Sequence, residues 1–155
     1  MFRSLRLLVP SQVLALALLG ANSTHGCAEG SRRYHVDGPV AAELVSVIDG
    51  DTVLVNARPW PQQTISVMVR LRGVDTPELK SRCPEERDRA RAARDLLEER
   101  LQAGDLQLSD IDADKYFGRV VARLTFGETS DASDLLLAAG LARPYGGGKK
   151  APTSC

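Results

Sequence analysis

Apolar and polar positions alternate in the first half of the chain, switch to a helical stripe, and then alternate again. From Glu43 to Ile48, Leu44, Ser46 and Ile48 alternate with Glu43, Val45 and Val47, which predicts a strand. Asp49-Gly50-Asp51-Thr52 reads as a turn in which Gly50 is free to take positive φ, and Val53–Val55 resumes as a second strand. Residues 56–63 contain Pro59, Trp60 and Pro61 and read as a hairpin loop, with Trp60 either a platform for a base or packing for the loop. A third strand covers Thr64 to Arg72, where Ile65, Val67, Val69 and Leu71 alternate with Ser66, Met68, Arg70 and Arg72. The alternation stops at Gly73. Asp75-Thr76-Pro77-Glu78 then forms a stiff turn, because Pro77 fixes its own φ and biases Thr76 toward an extended backbone.

Pro84 opens a helix with Glu85 and Glu86 in its first turn, where they suit the dipole. Ala90, Ala93, Leu97 and Leu101 form its apolar stripe, Leu96 widens it, and Gly104 ends the helix. The opposite face mixes arginines (Arg87, Arg89, Arg91, Arg94, Arg100) with acids at helical spacing, and reads as a solvated surface. Leu106–Ile111 is a fourth strand, 112–119 a polar loop and Val120–Phe126 a fifth strand. Ser130 or Asp131 caps a short helix that ends near Ala139, with Gly140 after it. Leu141–Tyr145 packs back and 146–150 reads as flexible. Five short strands with a helix between the third and fourth predict an α+β, mainly β fold: a five-stranded Greek-key barrel of the OB type, with two to three helices.

Composition places this domain in a compartment. Arg3 and Arg6 precede the apolar run Leu7–Leu19, which is too short to span a bilayer and reads as a signal peptide over 1–28. Cleavage after Ala28, Ala21 or Gly26 is compatible with the small residues there. Residues 29–40 read as a polar lead-in, 41–145 as the domain and 146–155 as a tail. The expected destination is the periplasm or the exterior. A lipid on Cys27 is the alternative, although the preceding Thr24-His25-Gly26 lacks the leucine of a lipoprotein box. Cleavage after Ala28 leaves Cys83 and Cys155, and two cysteines in an oxidising compartment are expected to pair. The 20 basic and 20 acidic residues cancel, and loss of Arg3 and Arg6 leaves 18 against 20, or −2. Bulk positive charge therefore does not hold this chain on nucleic acid; phosphate must be met by local arginines or a bound cation.

The only histidines, His25 and His35, precede the domain, which excludes a serine–histidine triad and a histidine-ligated zinc within it. Carboxylates and arginines remain. Asp51 and Asp75 lie in turns at strand ends and can share a hard cation; Glu78 can act as a base, and an arginine fork suits a phosphodiester. Arg70 and Arg72 share a strand face, so periodicity alone does not choose between them.

Asp49-Gly50-Asp51-Thr52, Arg70 five residues before Asp75-Thr76-Pro77-Glu78, Lys115-Tyr116-Phe117-Gly118-Arg119 and Gly140-Leu141-Ala142 together resemble the staphylococcal nuclease (thermonuclease) family over about residues 41–145. The resemblance selects Arg70. It implies Ca²⁺ held by Asp51, Asp75 and the carbonyl of Thr76, with Asp49 behind them. Glu78 would be the general base, and Arg70 and Arg119 would hold the scissile phosphate. Lys115 and Tyr116 would contact a terminal phosphate, and Tyr145 would pack on the base. The implied activity is calcium-dependent cleavage of DNA and RNA, single strands favoured, leaving 3′-phosphates, by a monomer without a stable protein partner. The other reading is an inactive barrel that binds nucleic acid or a protein; the presence of all five charged site residues weighs against it. One departure stands out: the usual Tyr-Gly-Arg carries an extra residue here, Phe117.

Overall fold

The computed structural model describes residues 34–102, 104–148 and 155. The expected signal peptide and Cys27 lie outside the described residues. The elements are β1 (His35–Val36), β2 (Val40–Asp49), β3 (Thr52–Trp60), β4 (Gln63–Leu71), β5 (Val74–Asp75), α1 (Pro84–Leu101), β6 (Leu106–Ala113), β7 (Arg119–Phe126), β8 (Ser130–Asp131), α2 (Ala132–Ala138) and β9 (Arg143–Pro144).

Five of these strands close on themselves. β2, β3 and β4 form an antiparallel meander, β4 pairs with β7 in parallel, β7 pairs with β6, and β6 returns to β2. This is the OB-type barrel that the pattern predicts, and closure leaves no free edge among the five. Val53 and Val55 from β3, Val69 and Leu71 from β4, Leu106 and Leu108 from β6, and Ala122 and Leu124 from β7 fill it. Helix α1 closes one end with Ala93, Leu97 and Leu101, all buried in the same cluster. Each leucine so buried contributes on the order of 1.5–3 kcal/mol of transfer free energy.

Four local expectations change. In β2 the ladder slips between Leu44 and Ser46 and again between Val47 and Asp49. Strict alternation is therefore lost: Ala42 is buried and Leu44 and Val47 partly so, while Val45 and Ile48 face solvent. Residues 56–60 belong to β3 rather than to a loop. Ala57 pairs with Ile65 and Trp60 with Gln63, and Pro59 falls in the irregular step between those pairs, where a missing N–H costs no ladder bond. Trp60 is 64% exposed, so it does not pack the hairpin. The polar lead-in is partly ordered, since His35 and Val36 pair with Asp112 and Ile111 of β6. Gly38 then passes so close to β6 that a Cβ would lie 2.5 Å from the Leu108 carbonyl oxygen. Finally, β6 runs two residues beyond Ile111, which shortens the loop before β7.

Asp131 caps α2: its side chain accepts from the backbone N–H groups of Ser133 and Asp134. Gly140 follows with φ +67°, the left-handed stop expected of it.

Candidate active site

The tight β2–β3 turn delivers the first carboxylate. Asp49 Oδ1 accepts the backbone N–H of Asp51 at 3.0 Å, which fixes the turn. Gly50 is needed for space rather than for positive φ: a Cβ there would come within 2.7 Å of Thr76 Oγ1 and 2.9 Å of Ala93 Cβ. The turn, the loop after β5 and α1 thus meet under the site. Asp51 is buried and fully engaged. Its Oδ1 accepts from Arg70 at 2.5 Å and from Thr52 Oγ1 at 3.2 Å, and its Oδ2 accepts the Thr76 N–H at 3.2 Å.

Arg70 stands beside Thr52 across the β3–β4 ladder. Its second terminal nitrogen donates to the Val74 carbonyl at 3.4 Å and lies 3.5 Å from Asp75 Oδ1. Arg72, two residues on, does something else. It donates to the Asp112 carboxylate at 2.5 Å and to the carbonyls of Asp110 and Val121, and so ties β4 to β6 and β7. The ambiguity between the two arginines is resolved by their partners.

Asp75 is the most enclosed acid of the site, 1% exposed. Its strand β5 pairs with β9, which sets Arg143 directly opposite. Arg143 holds Asp75 Oδ2 through Nε at 3.1 Å and a terminal nitrogen at 2.8 Å. Glu78 lies exposed on the loop that follows, and its N–H points to Glu86 Oε1 at 3.4 Å. Arg119 opens β7 next to Met68 of β4. Asp114 takes its Nε–H, and its guanidinium carbon sits 4.6 Å from the centre of the Tyr116 ring. Its terminal N–H groups make no protein hydrogen bond among the described residues.

A polar cleft of about 140 Å³ gathers Asp51, Arg70, Thr76, Glu78 and Arg119, with Asp49 at its edge. Asp75 lies beneath it and borders a separate pocket with Arg143 and the start of α1. Lys115 and Tyr145 both line a further hollow of about 520 Å³, together with Arg72, Asp114 and Gly146–Gly148. The Tyr145 hydroxyl donates to Gly148 O, and its ring lies 5.8 Å from the Arg70 guanidinium carbon. Tyr116 is outside both hollows, 55% exposed, with Lys115 Nζ 5.0 Å from its ring. Phe117 is fully exposed at the tip of the same loop. The extra residue therefore bulges outward at Gly118 (φ +79°) and leaves Arg119 in the cleft.

Cys83 is buried at the N-cap of α1 and Cys155 is exposed; both are free thiols. A hydrogen bond with Cys83 pushes the Cys155 thiol above its ordinary range, so the two sulfurs are neighbours.

Three participants were not evident in the pattern. Glu86 and Arg143 hold the two loops of the site, and Asp114 orients Arg119. Glu86 had a signal: it lies four residues before Ala90 on the buried stripe of α1. Arg143 and Asp114 had none, since their roles come from the fold.

Among the described residues no three His, Cys, Asp or Glu side chains form a ready metal cage. Asp51 lines the cleft and Asp75 lies beneath it, both buried carboxylates, and oxygen donors of this kind suit a hard cation. A family model described as staphylococcal nuclease homologue matches residues 68–153. That span holds Arg70, Asp75, Glu78 and Arg119; Asp51 lies upstream and joins them through its bond to Arg70. None of the curated proteins compared with the chain matches it. With more than half of its length under that model, the chain belongs to the staphylococcal nuclease homologue family.

Proposed function

We propose that this chain is an exported, calcium-dependent nuclease that hydrolyses phosphodiester bonds of DNA and RNA. Membership in the family supports the coarser statement, a nuclease-like module that engages nucleic acid. The finer reading rests on one observation: a single polar cleft is lined by the Glu78 carboxylate together with two arginines, Arg70 and Arg119.

In this reading Glu78 takes a proton from a water molecule as its oxygen bonds to phosphorus. The bond to the 5′-oxygen breaks on the opposite side, which leaves a 3′-phosphate, and the departing oxygen takes a proton from solvent water. Arg70 and Arg119 grip the non-bridging oxygens, whose charge grows in the five-coordinate transition state. Asp114 fixes Arg119 by its Nε, so the paired terminal N–H groups remain for phosphate. Asp51, Asp75 and the Thr76 carbonyl would hold calcium, which supplies positive charge to the phosphate and to the attacking water. Lys115 and Tyr145 would receive the adjoining nucleotide in their common hollow. Tyr116 would act through Arg119, on which it stacks. In an oxidising compartment the neighbouring Cys83 and Cys155 would become a disulfide, passing two electrons and two protons to an external disulfide oxidant. Residues 1–28 would be the export signal.

The test is nicking of single-stranded DNA by residues 29–155 with Ca²⁺, with Mg²⁺ and with chelator, beside Glu78→Gln. The expected result is Ca²⁺-dependent cleavage that falls by roughly 10²–10⁴ in the variant, the contribution of a general base. Equal turnover by the two proteins would remove Glu78 from that role. Equal activity with Mg²⁺ would keep the oxygen-ligand site and discard calcium. No cleavage by folded wild type would favour the binding module.

A further inference from the structure

The loop from Thr76 to Cys83 carries the cleft's exposed carboxylate, yet it contains no regular secondary structure, and its one large apolar side chain, Leu79, is only half-buried. A charge ties it to the helix. Glu86, in the first turn of α1, is 9% exposed, although a first-turn glutamate needs no burial to suit the helix dipole. Its two oxygens divide the loop between them. Oε1 accepts the backbone N–H of Glu78, and Oε2 accepts the hydroxyl of Ser81. Ser81 Oγ in turn accepts the Cys83 N–H at 3.2 Å, and Ser81 N–H donates to the Glu78 carbonyl at 3.1 Å. Arg87, the next helix residue, holds the Ser81 carbonyl at 2.9 Å. Glu78 is thus tied to a rigid 18-residue helix through one buried carboxylate.

Burying a carboxylate is costly unless hydrogen bonds compensate it, so a glutamate on an apolar stripe requires a return. The return visible here is the placement of Glu78. A base must stand within hydrogen-bond reach of the water it activates, and a misplacement of about 1 Å costs on the order of 10²-fold in rate. We propose that Glu86 is a positioning residue: it holds the Glu78 backbone in register with the arginines of the cleft. This rests on the role given to Glu78 above.

The test compares Glu86→Ala, Glu86→Gln and Ser81→Ala in the full mature chain with single-stranded DNA and Ca²⁺. Gln keeps an acceptor for the Glu78 N–H and an amide for the Ser81 hydroxyl; Ala removes both. The expected result is a fall in kcat of roughly 10–100-fold for Glu86→Ala with KM within about twofold, and recovery to within about threefold for Glu86→Gln. Amide exchange should quicken at Glu78 and Ser81 and stay unchanged in the barrel strands. Glu78→Gln/Glu86→Ala should be no slower than Glu78→Gln, because both changes act through one group. Unchanged kcat for Glu86→Ala, or additive losses in the double variant, would overturn the proposal. If Glu86→Ala does not fold, Ser81→Ala carries the test, with a smaller kcat loss and the same local exchange; wild-type kcat and exchange would overturn it. Full activity of Glu78→Gln would sink the role of Glu78, while the exchange measurement still decides the anchoring.

Discussion

Two clusters of arginine and carboxylate lie on this barrel, and they differ in what surrounds them. At the cleft, Arg70 and Arg143 bracket Asp51 and Asp75, with side-chain exposures of 16% for Arg70 and 1% for Asp75. Just past the end of β4, Arg72 and His35 bracket Asp112, all three about one-third exposed or more. Asp51, Asp75 and Arg70 of the first cluster are shielded by protein, with only Arg143 half exposed at its edge, so the three inner charges act strongly on one another and on anything that enters. The second is wet and screened, and its ends are His35 on β1 and Arg72 beside β4. Arg70 and Arg72 are two residues apart and chemically identical. Position relative to solvent and partners, rather than residue type, separates the arginine proposed to clamp phosphate from the one that latches strands.

The sharpest way to break that contrast is to change both arginines to lysine. Arg70→Lys should lower kcat/KM by more than tenfold, since an ammonium cannot grip two oxygens in a plane, while Arg72→Lys should stay within about twofold. Equal losses would mean that the two clusters are not functionally distinct. Arg143→Ala comes next, read in urea unfolding. It leaves the buried Asp75 with only part of its compensation, and breaking a buried pair costs about 3–5 kcal/mol. Arg143 is half exposed, so a loss of roughly 1–3 kcal/mol is expected. If the proposed site takes Ca²⁺, added Ca²⁺ should restore more stability to this variant than to wild type, because a ligand bound only to the folded state would replace the missing cation. Loss without restoration would place calcium away from Asp75.

How far this was legible in the sequence depends on whether a signal is local. The barrel was legible because β3, β4, β6 and β7 keep a period of two against one core. The inner face of β2 was not, because two slips in register reverse it midway. Pro59 and Trp60 read as loop because local turn propensity hides the strand that the pairing of Arg58 with Ala41 and of Trp60 with Gln63 imposes. Gly50 stood out in the turn, but for backbone freedom; the cause is the approach of Thr76 and Ala93, which no local pattern contains. Asp51, Arg70, Glu78 and Arg119 were proposed from motif and meet in one cleft. Asp75 was proposed with them and lies below, turned to Arg143, a partner 68 residues away. Lys115 and Tyr145 line one hollow, and Tyr116 stacks on Arg119.

The smallest expected effect belongs to the wet cluster, and its sign follows from two opposed shifts. The Asp112 hydrogen bond raises His35 above its ordinary 6.5, and the His35 hydrogen bond, with Arg72 behind it, lowers Asp112 below its ordinary 3.8. For His35 the stabilisation is complete below 6.5, the unfolded value, and disappears as pH rises through the higher folded value. For Asp112 it is complete above 3.8 and disappears as pH falls through the lower folded value. The latch therefore holds β1 best between about pH 4 and 6.5 and weakens on either side. Melting temperature should decline from pH 6 to pH 8 in wild type and decline less in His35→Asn, and salt should reduce the difference. The exchange of the Val36 and Ile111 amides should follow the same curve while kcat of the variant stays with wild type. A change in activity that tracked this titration would join the two clusters that their exposure keeps apart.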